Sequence, residues 1–370
     1  MMDAAPAPWP QCLAEALSQD RWLAPPEVPP EDVAVVDGAD APPQPWRGGV
    51  VLATSGTLGV PRRVRLTAAS LECAARAAVA HCGFRAGELW VSALPLGRIG
   101  GLTPLLRAWS VRGRWAGVAP ADTPGLWRLL TRDGASHVSL VPVQLARLLD
   151  LGPPPPSLRV VLVGGGRLSR ELARRAMDLG WPVWSAYGLT EAGGTVSAGP
   201  LTLEDLAAPG PLPVGRALPG WRVSLAAGGE IHLDGAALCD GWDPETPCSR
   251  PYPTGDLGSW DARGRLVLCG RVDERLDCAG HGVDPAGVEG LLETCPGVRA
   301  ALVTGVPDAV WGTRLGALVV GMVTPAEVLA WCGSFLPSPQ RPRVVRVVAD
   351  LPRTAAGKPD RAGAQALLFG

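Results

Sequence analysis

The stretch LRVVLVGGGRLSRELARRAMDLGWPVWSAY, residues 158–187, decides the fold class of this chain. It opens with a mainly apolar run from Leu158 to Val163, passes through three glycines and Ser169, and ends in a second apolar segment, WPVWSAY. The first run is typical of a buried strand, and Ser169 is a typical N-cap for the helix RELARRAMDLG. Strand, helix and strand in this order predict an α/β fold with parallel pairing of the two strands.

The segments on either side extend this pattern and divide the chain. HVSLVPVQLARLLDLG (137–152) predicts a strand followed by a helix, and VVLAT (50–54) predicts a strand. From about residue 212, short alternating segments with Gly-rich turns predict antiparallel strands of a small barrel or sheet, and after Asp273 a helix-strand-strand-helix pattern predicts a smaller lobe. We therefore predict a mixed α/β protein with an irregular lead-in (1–49), a large α/β lobe with a β subdomain (50–271) and a small, mobile α+β lobe (272–370).

The composition is typical of a globular protein that acts on a small molecule. The 370 residues are 47% hydrophobic and 19% charged, which leaves room for two or three domains with a buried core. A net charge of −1 without any basic run gives no electrostatic sign of nucleic acid or an anionic membrane. The N-terminus lacks the basic segment of a secretory signal, and Pro325 and Glu327 interrupt the apolar stretch 315–336. We therefore expect no membrane insertion and a cytoplasmic location.

The nine cysteines and four histidines do not indicate a metal or redox site. No two cysteines have C-x-x-C spacing, so we interpret them as small buried hydrophobic residues. The histidines are scattered singly, which gives no local support for a transition-metal cluster or a His-based nucleophile system.

Lys358 is the only lysine among 34 basic residues. The chain also lacks asparagine and has only two tyrosines, which indicates a GC-rich gene in which Arg replaces Lys wherever a diffuse positive charge suffices. A lysine that remains then marks a position where a compact, flexible ammonium is needed. Chance placement of a single lysine is the alternative.

TSGTLGVPRR, residues 54–63, directly follows the predicted strand at 50–54. Its hydroxyls, glycines and backbone N–H groups suit a turn that binds phosphate. The segment is not a Walker A loop, because it lacks G-x-x-x-x-G-K-[ST], and a Ser/Thr/Gly loop by itself is more often an ordinary turn. Its interpretation depends on motifs elsewhere in the chain.

Four such motifs follow in order: SAYGLTEAG (185–193), YPTGDLG (252–258), GRVDERL (270–276) and PRTAAGKPDR (352–361). Together with the 54–63 loop they resemble the adenylate-forming superfamily of acyl-CoA synthetases and adenylation domains, over nearly everything after residue 50. Both tyrosines and the single lysine lie inside these motifs. The resemblance implies the adenylate-forming enzyme fold, ATP and Mg²⁺ as cofactors, and CoA as co-substrate.

The resemblance also implies roles for individual residues. The β- and γ-phosphates would be bound by Thr54, Ser55, Gly56, Thr57, Gly59 and Arg62. The adenosine would be bound by Gly164, Gly165, Gly166, Tyr187, Gly188, Asp256 and Arg271. Thr190 and Glu191 would face the α-phosphate and Mg²⁺, which prefers hard oxygen ligands. Lys358 would place its catalytic ammonium between the acid and the α-phosphate, and Asp273 would mark the hinge between the lobes.

Each of these roles has a structural alternative. Glu191 would otherwise be a solvated carboxylate at a strand end. Arg271 and Asp273 would otherwise form a plain interdomain salt bridge. Arg62 stands where the family usually has Lys, and Arg98 stands where many members have His.

Within the superfamily, ASHVSLVPVQLARLL, LRVVLVGGGRLSREL and SAYGLTEAGGTVS resemble the o-succinylbenzoate-CoA ligases of menaquinone biosynthesis, particularly their short forms. The position matching Arg107 lies in the segment that lines the acid pocket of those enzymes. The resemblance therefore implies Arg107 as the first anchor for the second carboxylate of a dicarboxylic aromatic acid, Arg98 as the second, and Thr195 as a nearby polar wall. Surface charge is the simpler interpretation of both arginines.

Three functional hypotheses follow: an acid-CoA ligase, an adenylation enzyme that loads a carrier protein or amine, and an inactive nucleotide-binding homologue. Retention of Glu191, Asp256 and Lys358 argues against the third, and the lack of a carrier domain in 370 residues argues against the second. The expected partners are a carboxylic acid, ATP and CoA. A homodimer is one way to cover the core of a large lobe with so short an N-terminal part.

Overall fold

A computed structural model describes residues 9–19, 22–23, 34–36, 40–42, 44–54, 62–208, 210–242, 246–278, 281–308, 312–353 and 359–369. Within these ranges the helices are α1 (Trp9–Ser18), α2 (Ala68–Cys82), α3 (Ile99–Ser110), α4 (Thr123–Arg132), α5 (Pro142–Leu149), α6 (Arg170–Asp178), α7 (Leu203–Ala207), α8 (Pro285–Leu292), α9 (Pro325–Phe335) and α10 (Arg361–Phe369).

The strands in the same ranges are β1 (Trp22–Leu23), β2 (Ala34–Val36), β3 (Gly49–Thr54), β4 (Arg62–Thr67), β5 (Leu89–Ser92), β6 (Arg114–Gly117), β7 (His137–Leu140), β8 (Val160–Val163), β9 (Val183–Leu189), β10 (Gly194–Pro200), β11 (Arg216–Ala217), β12 (Arg222–Leu225), β13 (Glu230–Asp234), β14 (Gly241–Trp242), β15 (Thr246–Pro247), β16 (Tyr252–Trp260), β17 (Leu266–Arg271), β18 (Leu276–Cys278), β19 (His281–Val283), β20 (Val298–Asp308), β21 (Gly312–Gly321) and β22 (Val344–Val347).

A mixed sheet in the order β11-β10-β9-β8-β7-β5-β6-β2 forms the centre of the large lobe. Its five middle strands, β9, β8, β7, β5 and β6, run parallel to one another. At the sides, β10 pairs antiparallel with β9 and β11, and β2 pairs antiparallel with β6. The strand-helix-strand prediction is confirmed, because β8 and β9 pair in parallel with Val161 opposite Val183. Every residue of β8 is buried, as expected of a strand covered on both faces.

The turn between β8 and α6 has the local chemistry that the sequence predicts. The hydroxyl of Ser169 accepts a hydrogen bond from the N–H of Leu172 at 3.2 Å, which caps α6. Gly165 has a φ of 68°, a left-handed conformation that glycine adopts at little cost. Because the three glycines directly follow Val163, the last residue of β8, they lie outside the carboxyl end of this strand. Open α/β sheets bind their ligands at that end.

Two separate hydrophobic cores cover the two faces of this sheet. On one face, Trp90 and Leu162 pack with apolar residues of α2 and α3. On the other face, Val91 and Val161 pack with residues of α4, α5 and α6. Neighbouring residues of one strand thus enter opposite cores, as the alternation of side chains along a strand requires.

Two smaller sheets flank the large one. The first has the order β1-β3-β4-β14-β15, and its strand β3 confirms the strand predicted at 50–54. The second has the order β12-β13-β16-β17 with antiparallel pairing throughout, which confirms the prediction for the region after residue 212.

The prediction of an irregular lead-in over 1–49 is wrong for the described residues of that range. Leu13 and Leu17 of α1 are fully buried in the core that contains α2, and Ala16 beside them is also buried. Strand β1 pairs in parallel with β3, and β2 pairs with β6. The spacing of Leu13, Ala16 and Leu17 gives α1 one apolar face, but the signal is short and is followed by a proline-rich segment. The lobe boundaries at 50 and 272 stay predictions.

The small lobe has the helix-strand-strand-helix order that the sequence predicts. Its sheet, β20-β21-β22, carries α8 and α9 on one face and α10 on the other. Arg167, beside the triple-glycine turn of the large lobe, forms ion pairs with Glu289 and Glu293 of the small lobe at 3.2 and 3.1 Å. The two lobes therefore meet at the carboxyl end of β8.

Two further expectations concern burial. In the described part of the chain, no helix has both the length and the apolar character needed to cross a membrane. The interpretation of the cysteines as buried residues is confirmed for Cys82, Cys239, Cys278, Cys295 and Cys332. It is wrong for Cys73, which is exposed on α2, because α2 buries only one of its faces.

Candidate active site

The side chains predicted to bind adenosine meet in one hydrogen-bonded cluster. The hydroxyl of Tyr187 on β9 donates to Oδ2 of Asp256 on β16 at 2.6 Å. Nη1 of Arg271, at the end of β17, donates to Oδ1 of Asp256 at 2.7 Å, and its Nε donates to Asp273 at 2.9 Å. We call these four residues, Tyr187, Asp256, Arg271 and Asp273, the carboxylate cluster.

The charges of the carboxylate cluster compensate one another. Burial raises the pKa of the Asp256 carboxyl, whereas the hydrogen bond from Tyr187 and the charge of Arg271 lower it. Burial, followed by the negative charge of Asp256, raises the pKa of Tyr187. Each Asp256 oxygen has a second lone pair, so a ribose hydroxyl can still donate to it. Arg271 forms salt bridges with both Asp256 and Asp273, as the structural alternative expects. These contacts do not test the ribose role of Arg271 or the hinge role of Asp273, so both roles stay predictions.

Glu191 lies in a one-turn 3₁₀ helix, Thr190–Ala192, between β9 and β10. Burial raises the pKa of its carboxyl, and Arg62 acts in the opposite direction. Tyr252 lies near enough to this carboxylate to lower its pKa, and the backbone N–H of Cys239 donates to the Glu191 carbonyl at 2.7 Å. Glu191 is half-buried, so its surroundings partly desolvate the carboxylate, and the predicted magnesium role and the solvated alternative both stay open.

The surroundings of Glu191 fit the predicted magnesium ion. Among the residues that the structure describes, no group of three or more His, Cys, Asp and Glu side chains lies close enough together to hold a metal. A cation at Glu191 would thus have to complete its coordination with phosphate oxygens and water. Mg²⁺ prefers this donor set to an all-protein cage. A cation would also offset the burial that raises the pKa of this carboxyl.

The predicted phosphate loop is anchored by the β3-β4 hairpin. Thr54, the last residue of β3, pairs with Arg62, the first residue of β4, and its hydroxyl donates to the Arg62 carbonyl at 3.3 Å. Nη1 of Arg98 donates to the Ala53 carbonyl at 3.3 Å, next to this hairpin. The loop residues Ser55, Gly56, Thr57 and Gly59 lie outside the described residues, as does Lys358.

The glycines of the predicted adenosine site differ in what the fold requires of them. A Cβ at Gly188 would lie 2.1 Å from the carbonyl of Gly194, so the close approach of β9 and β10 requires glycine there. A Cβ at Gly164 or Gly166 would meet its nearest neighbour at ordinary distances of 3.5 and 3.6 Å. Protein packing therefore does not demand glycine at 164 and 166, whereas close approach of a bound ligand to the backbone would.

Arg107 is the most unusual charged residue of the site. It lies in α3, is only 2% exposed, and its guanidinium carbon is 4.7 Å from the ring centroid of Trp90. Its Nη2 donates to the hydroxyl of Thr195 at 2.8 Å, but among the described residues its Nε has no hydrogen-bond partner. Burial lowers its pKa to about 10. Surface charge is thus the wrong interpretation of Arg107, although it suits Arg98, which is exposed.

Two residues of this site have no role in the sequence-based assignment. Tyr252 lies near Glu191 and lowers the pKa of its carboxyl, and its position inside YPTGDLG as one of only two tyrosines was a usable signal. Trp90 forms the aromatic face beneath Arg107, but nothing separates it in the sequence from the 13 other tryptophans. Contacts across the sheet, which pattern alone does not show, define the role of Trp90.

Comparisons with known proteins agree with this geometry. The family model "AMP-binding enzyme" matches residues 1–237, and "AMP-binding enzyme C-terminal domain" matches residues 287–358. The chain is 30% identical over 325 residues to the 2-succinylbenzoate–CoA ligase of Bacillus thuringiensis, which covers 83% of this chain and 67% of that protein. It is 34% identical over 333 residues to a protein of Mycobacterium tuberculosis named as a probable 2-succinylbenzoate–CoA ligase, which covers 85% of this chain and 82% of the relative.

Solved structures show the same likeness. The o-succinylbenzoate CoA synthetase of Bacillus subtilis, in complex with its acyl-adenylate intermediate, is 25% identical with a TM-score of 0.71, and the match covers 85% of this chain and 68% of that one. ATP-bound MatB from Rhodopseudomonas palustris is 26% identical with a TM-score of 0.72, over 86% and 68% of the two chains. The predicted adenylate-forming fold is thereby confirmed, although overall shape does not separate these two enzymes. On the family match and the shared fold, this chain belongs to the AMP-binding, adenylate-forming enzyme family.

Proposed function

We propose that this protein is an ATP-dependent acid-CoA ligase that converts o-succinylbenzoate, ATP and CoA to o-succinylbenzoyl-CoA, AMP and pyrophosphate. In the first step a carboxylate oxygen of the acid attacks the α-phosphorus, and pyrophosphate leaves. In the second step the CoA thiol attacks the acyl carbon, and AMP leaves. The names of the relatives support this assignment, which would place the protein in menaquinone biosynthesis.

The observation that carries the choice of acid is the buried, incompletely bonded guanidinium of Arg107. Removal of a cation from water is costly, and in the described residues Arg107 has a hydroxyl and an aromatic face as partners in place of a carboxylate. A ligand with a second carboxylate would supply the missing charge through a charge-assisted bidentate contact. The activated carboxylate of o-succinylbenzoate is the succinyl one, which leaves the aryl carboxylate free for Arg107. Thr195, bonded to Arg107, would orient the guanidinium.

The remaining residues are assigned from the family resemblance, together with the contacts of those that the structure describes. We assign Asp256 to the ribose hydroxyls, and Tyr187 with the triple-glycine turn to adenine. Glu191 with Thr190 would bind Mg²⁺ and face the α-phosphate, where the metal ion offsets phosphate charge. Tyr252 would hold the Glu191 carboxylate in place. Lys358 would neutralise the charge that develops between the acid and the α-phosphate.

The site of action that we propose is the cytoplasm, where ATP and CoA are supplied. A homodimer is also part of the proposal, and sedimentation of the purified protein over a range of concentrations tests it. A monomer at every concentration would contradict the dimer and leave the enzymatic proposal unaffected.

The decisive experiment compares four acids in the presence of ATP, Mg²⁺ and CoA: o-succinylbenzoate, its methyl ester at the aryl carboxylate, benzoate and octanoate. Pyrophosphate and thioester are measured separately. We expect the diacid to exceed the other acids by at least about 100-fold in kcat/KM, because they leave the buried guanidinium unpaired. Equal turnover of the methyl ester would contradict the proposed acid.

Arg107→Leu and Arg98→Leu form a matched pair for the same assay, because they remove a buried and an exposed arginine from one segment. The proposal expects only Arg107→Leu to abolish the preference for the diacid. Loss of the preference in Arg98→Leu alone would move the anchor to Arg98. Pyrophosphate release without thioester would instead favour an enzyme that loads a carrier protein or amine.

A further inference from the structure

Trp90, on β5, lies beneath the buried guanidinium of Arg107 in the core of the large lobe. The guanidinium carbon is 4.7 Å from the centroid of the Trp90 ring, which is within the range of a cation–π contact. Trp90 is itself fully buried, so protein side chains alone surround its ring. Arg107 occupies the face of this ring, and any effect of Trp90 on a bound acid would pass through that guanidinium.

The neighbours of Trp90 hold its ring in place. The indole N–H donates to the hydroxyl of Ser139 on β7 at 3.0 Å. The ring of His137, opposite Trp90 in the sheet, lies 4.8 Å away at a tilt of 32°, and Phe84 meets the indole edge-on at 5.1 Å. All of these side chains are buried. A ring that is packed and hydrogen-bonded in this way gives the guanidinium a fixed surface.

The groups around Trp90 supply no negative charge to Arg107. Burial lowers the pKa of His137, so its ring is neutral at neutral pH, and burial raises the pKa of the Cys82 thiol, which stays protonated. The face of an indole ring attracts a cation without neutralising it. Arg107 thus keeps a whole positive charge. Its Nη2 donates to Thr195, and its Nε has no hydrogen-bond partner within the described part of the chain.

We propose that Trp90 is a positioning residue for substrate selection, and that its ring face orients the Arg107 guanidinium toward the second carboxylate of a dicarboxylic acid. A bidentate contact requires the planar guanidinium in one orientation. Thr195 fixes one nitrogen of the guanidinium, and the ring face restricts rotation about that point. An oriented guanidinium strengthens binding, because less freedom is lost when the acid arrives. This inference rests on the proposed function, which supplies the acid.

The test measures the ratio of kcat/KM for o-succinylbenzoate to kcat/KM for its methyl ester at the aryl carboxylate. General damage to the protein cancels in this ratio, because it lowers both values equally. Trp90→Leu removes the aromatic face, and we expect the ratio to fall roughly tenfold. Trp90→Phe keeps a smaller aromatic face, so the ratio should fall by no more than about threefold. Equal losses in the Leu and Phe variants would overturn the role of the aromatic face.

Trp115→Leu is the matched control. Trp115 pairs directly with Trp90 on the neighbouring strand β6 and is buried in the same core, but its ring lies close to Gly117 of its own strand. Its replacement creates a comparable defect and should leave the ratio unchanged. Ser139→Ala is the milder variant, because it keeps the Trp90 ring and removes only the hydrogen bond to it. We expect it to lower the ratio about threefold, so the proposal stays testable if Trp90→Leu does not fold.

Thermal unfolding without ligand tests the contact and needs no enzymatic activity. Trp90→Leu should lower the melting temperature less in an Arg107→Leu background than in the wild type, because a leucine at 107 gains nothing from an electron-rich ring face. Equal shifts in the two backgrounds would overturn the cation–π contact.

The positioning role and the proposed function fail in different ways. A wild-type ratio in Trp90→Leu, with a lowered ratio in Arg107→Leu, would overturn the role of Trp90 and leave the proposed function in place. Equal losses in Trp90→Leu and Trp115→Leu would also overturn it. A wild-type protein without any preference for the diacid would contradict the proposed acid and the positioning role together, and this result is visible before any variant is made.

Discussion

The nucleotide side and the acid side of the site handle buried charge in opposite ways. In the carboxylate cluster, Asp256 has a hydroxyl and a guanidinium as partners, so its charge is compensated before any ligand binds. On the acid side, Arg107 is more deeply buried and has only a hydroxyl and an aromatic ring. In the proposed roles, the first region would receive a neutral sugar without needing further charge, whereas the second would receive its missing negative charge from the substrate.

Lys358→Ala should have the largest effect, because this ammonium would serve both sides at once. We expect adenylate formation to fall by about 10²–10³-fold, the range found when one positioned charge donor is removed from an active site. Thioester formation from a supplied acyl-adenylate should stay largely intact. Lys358→Arg should also be strongly impaired, because a planar guanidinium distributes its charge differently. Equal loss of both half-reactions, or an active Arg variant, would contradict the role of this lysine.

Arg107→Leu tests the acid side through three measurements. The kcat/KM for o-succinylbenzoate should fall by roughly 100-fold, because a charge-assisted contact is lost. The melting temperature without ligand should be unchanged or higher, since an apolar side chain that replaces an unpaired buried charge is often neutral or stabilising. Stabilisation of the protein by added diacid, measured by thermal unfolding, should disappear. A large drop in melting temperature without ligand would mean that Arg107 is a structural residue.

Asp273→Pro tests whether the carboxylate cluster also contains the hinge. A fixed φ should hinder lobe rotation, so we expect the thioester step to slow by about tenfold while adenylate formation continues. Asp273→Ala is the matched control, because it removes the same contact to Arg271 without fixing the backbone. Unchanged thioester turnover in the proline variant, or equal loss in both variants, would count against a hinge at this residue.

Tyr187→Phe should have a smaller effect that depends on pH. The tyrosine hydroxyl lowers the pKa of Asp256 by donating to it, so its removal raises that pKa further. Asp256 has to be ionised to accept from ribose, and the acid limb of kcat/KM for ATP should therefore move to higher pH. At pH 8 we expect a loss of only about threefold, the value of one net hydrogen bond near 0.7 kcal/mol. An unshifted acid limb would show that Asp256 does not control this profile.

Asp284→Asn should change stability and leave catalysis unaffected, which makes it the smallest of these effects on activity. Asp284 caps α8 through the N–H of Ala286 and its Oδ2 has no partner among the described residues, while burial raises its pKa to about 6. Because folding raises the pKa of this carboxyl, the free energy of unfolding of the wild type falls as the pH rises from about 4 to about 6. The Asn variant, which does not ionise, should therefore be more stable than the wild type above pH 6 and equally stable near pH 4. Asn caps helices as well as Asp does, and after allowance for solvent screening we expect a gain of about 1 kcal/mol in thermal unfolding at pH 7.5. A loss at pH 7.5 would mean that the charge has a partner.

Local patterns predicted the parts of the fold that local physics determines. The run from Leu158 to Val163 predicted the strand β8, and Ser169 predicted the start of α6, because both signals depend only on neighbouring residues. The helix α1 was missed because its apolar face spans only a few residues before a proline-rich segment.

The site was predicted as a set of residues but not as a set of contacts. Motifs placed Tyr187, Asp256 and Arg271 together, yet the donors that occupy both oxygens of Asp256 are visible only in three dimensions. The burial of Arg107 depends on packing between α2, α3 and the central sheet, which brings Trp90 and Thr195 to it from distant positions in the chain. The sequence does not show whether an arginine lies at the surface or in the core, so only the fold distinguishes the buried Arg107 from the exposed Arg98.

The ion pairs of Arg167 have a kinetic consequence. Any rotation of the small lobe has to break the contacts of Arg167 with Glu289 and Glu293, whose side chains are only 5% and 8% exposed. These carboxylates are shielded from dissolved ions, whereas the Arg167 side chain is 34% exposed, so added salt should weaken the pairs less than it weakens fully exposed ion pairs. Arg167 directly follows the triple-glycine turn, so the same few atoms would sense an occupied nucleotide pocket and restrain the lobe. The lifetime of these ion pairs would then set an upper limit on how often the enzyme passes from one half-reaction to the next.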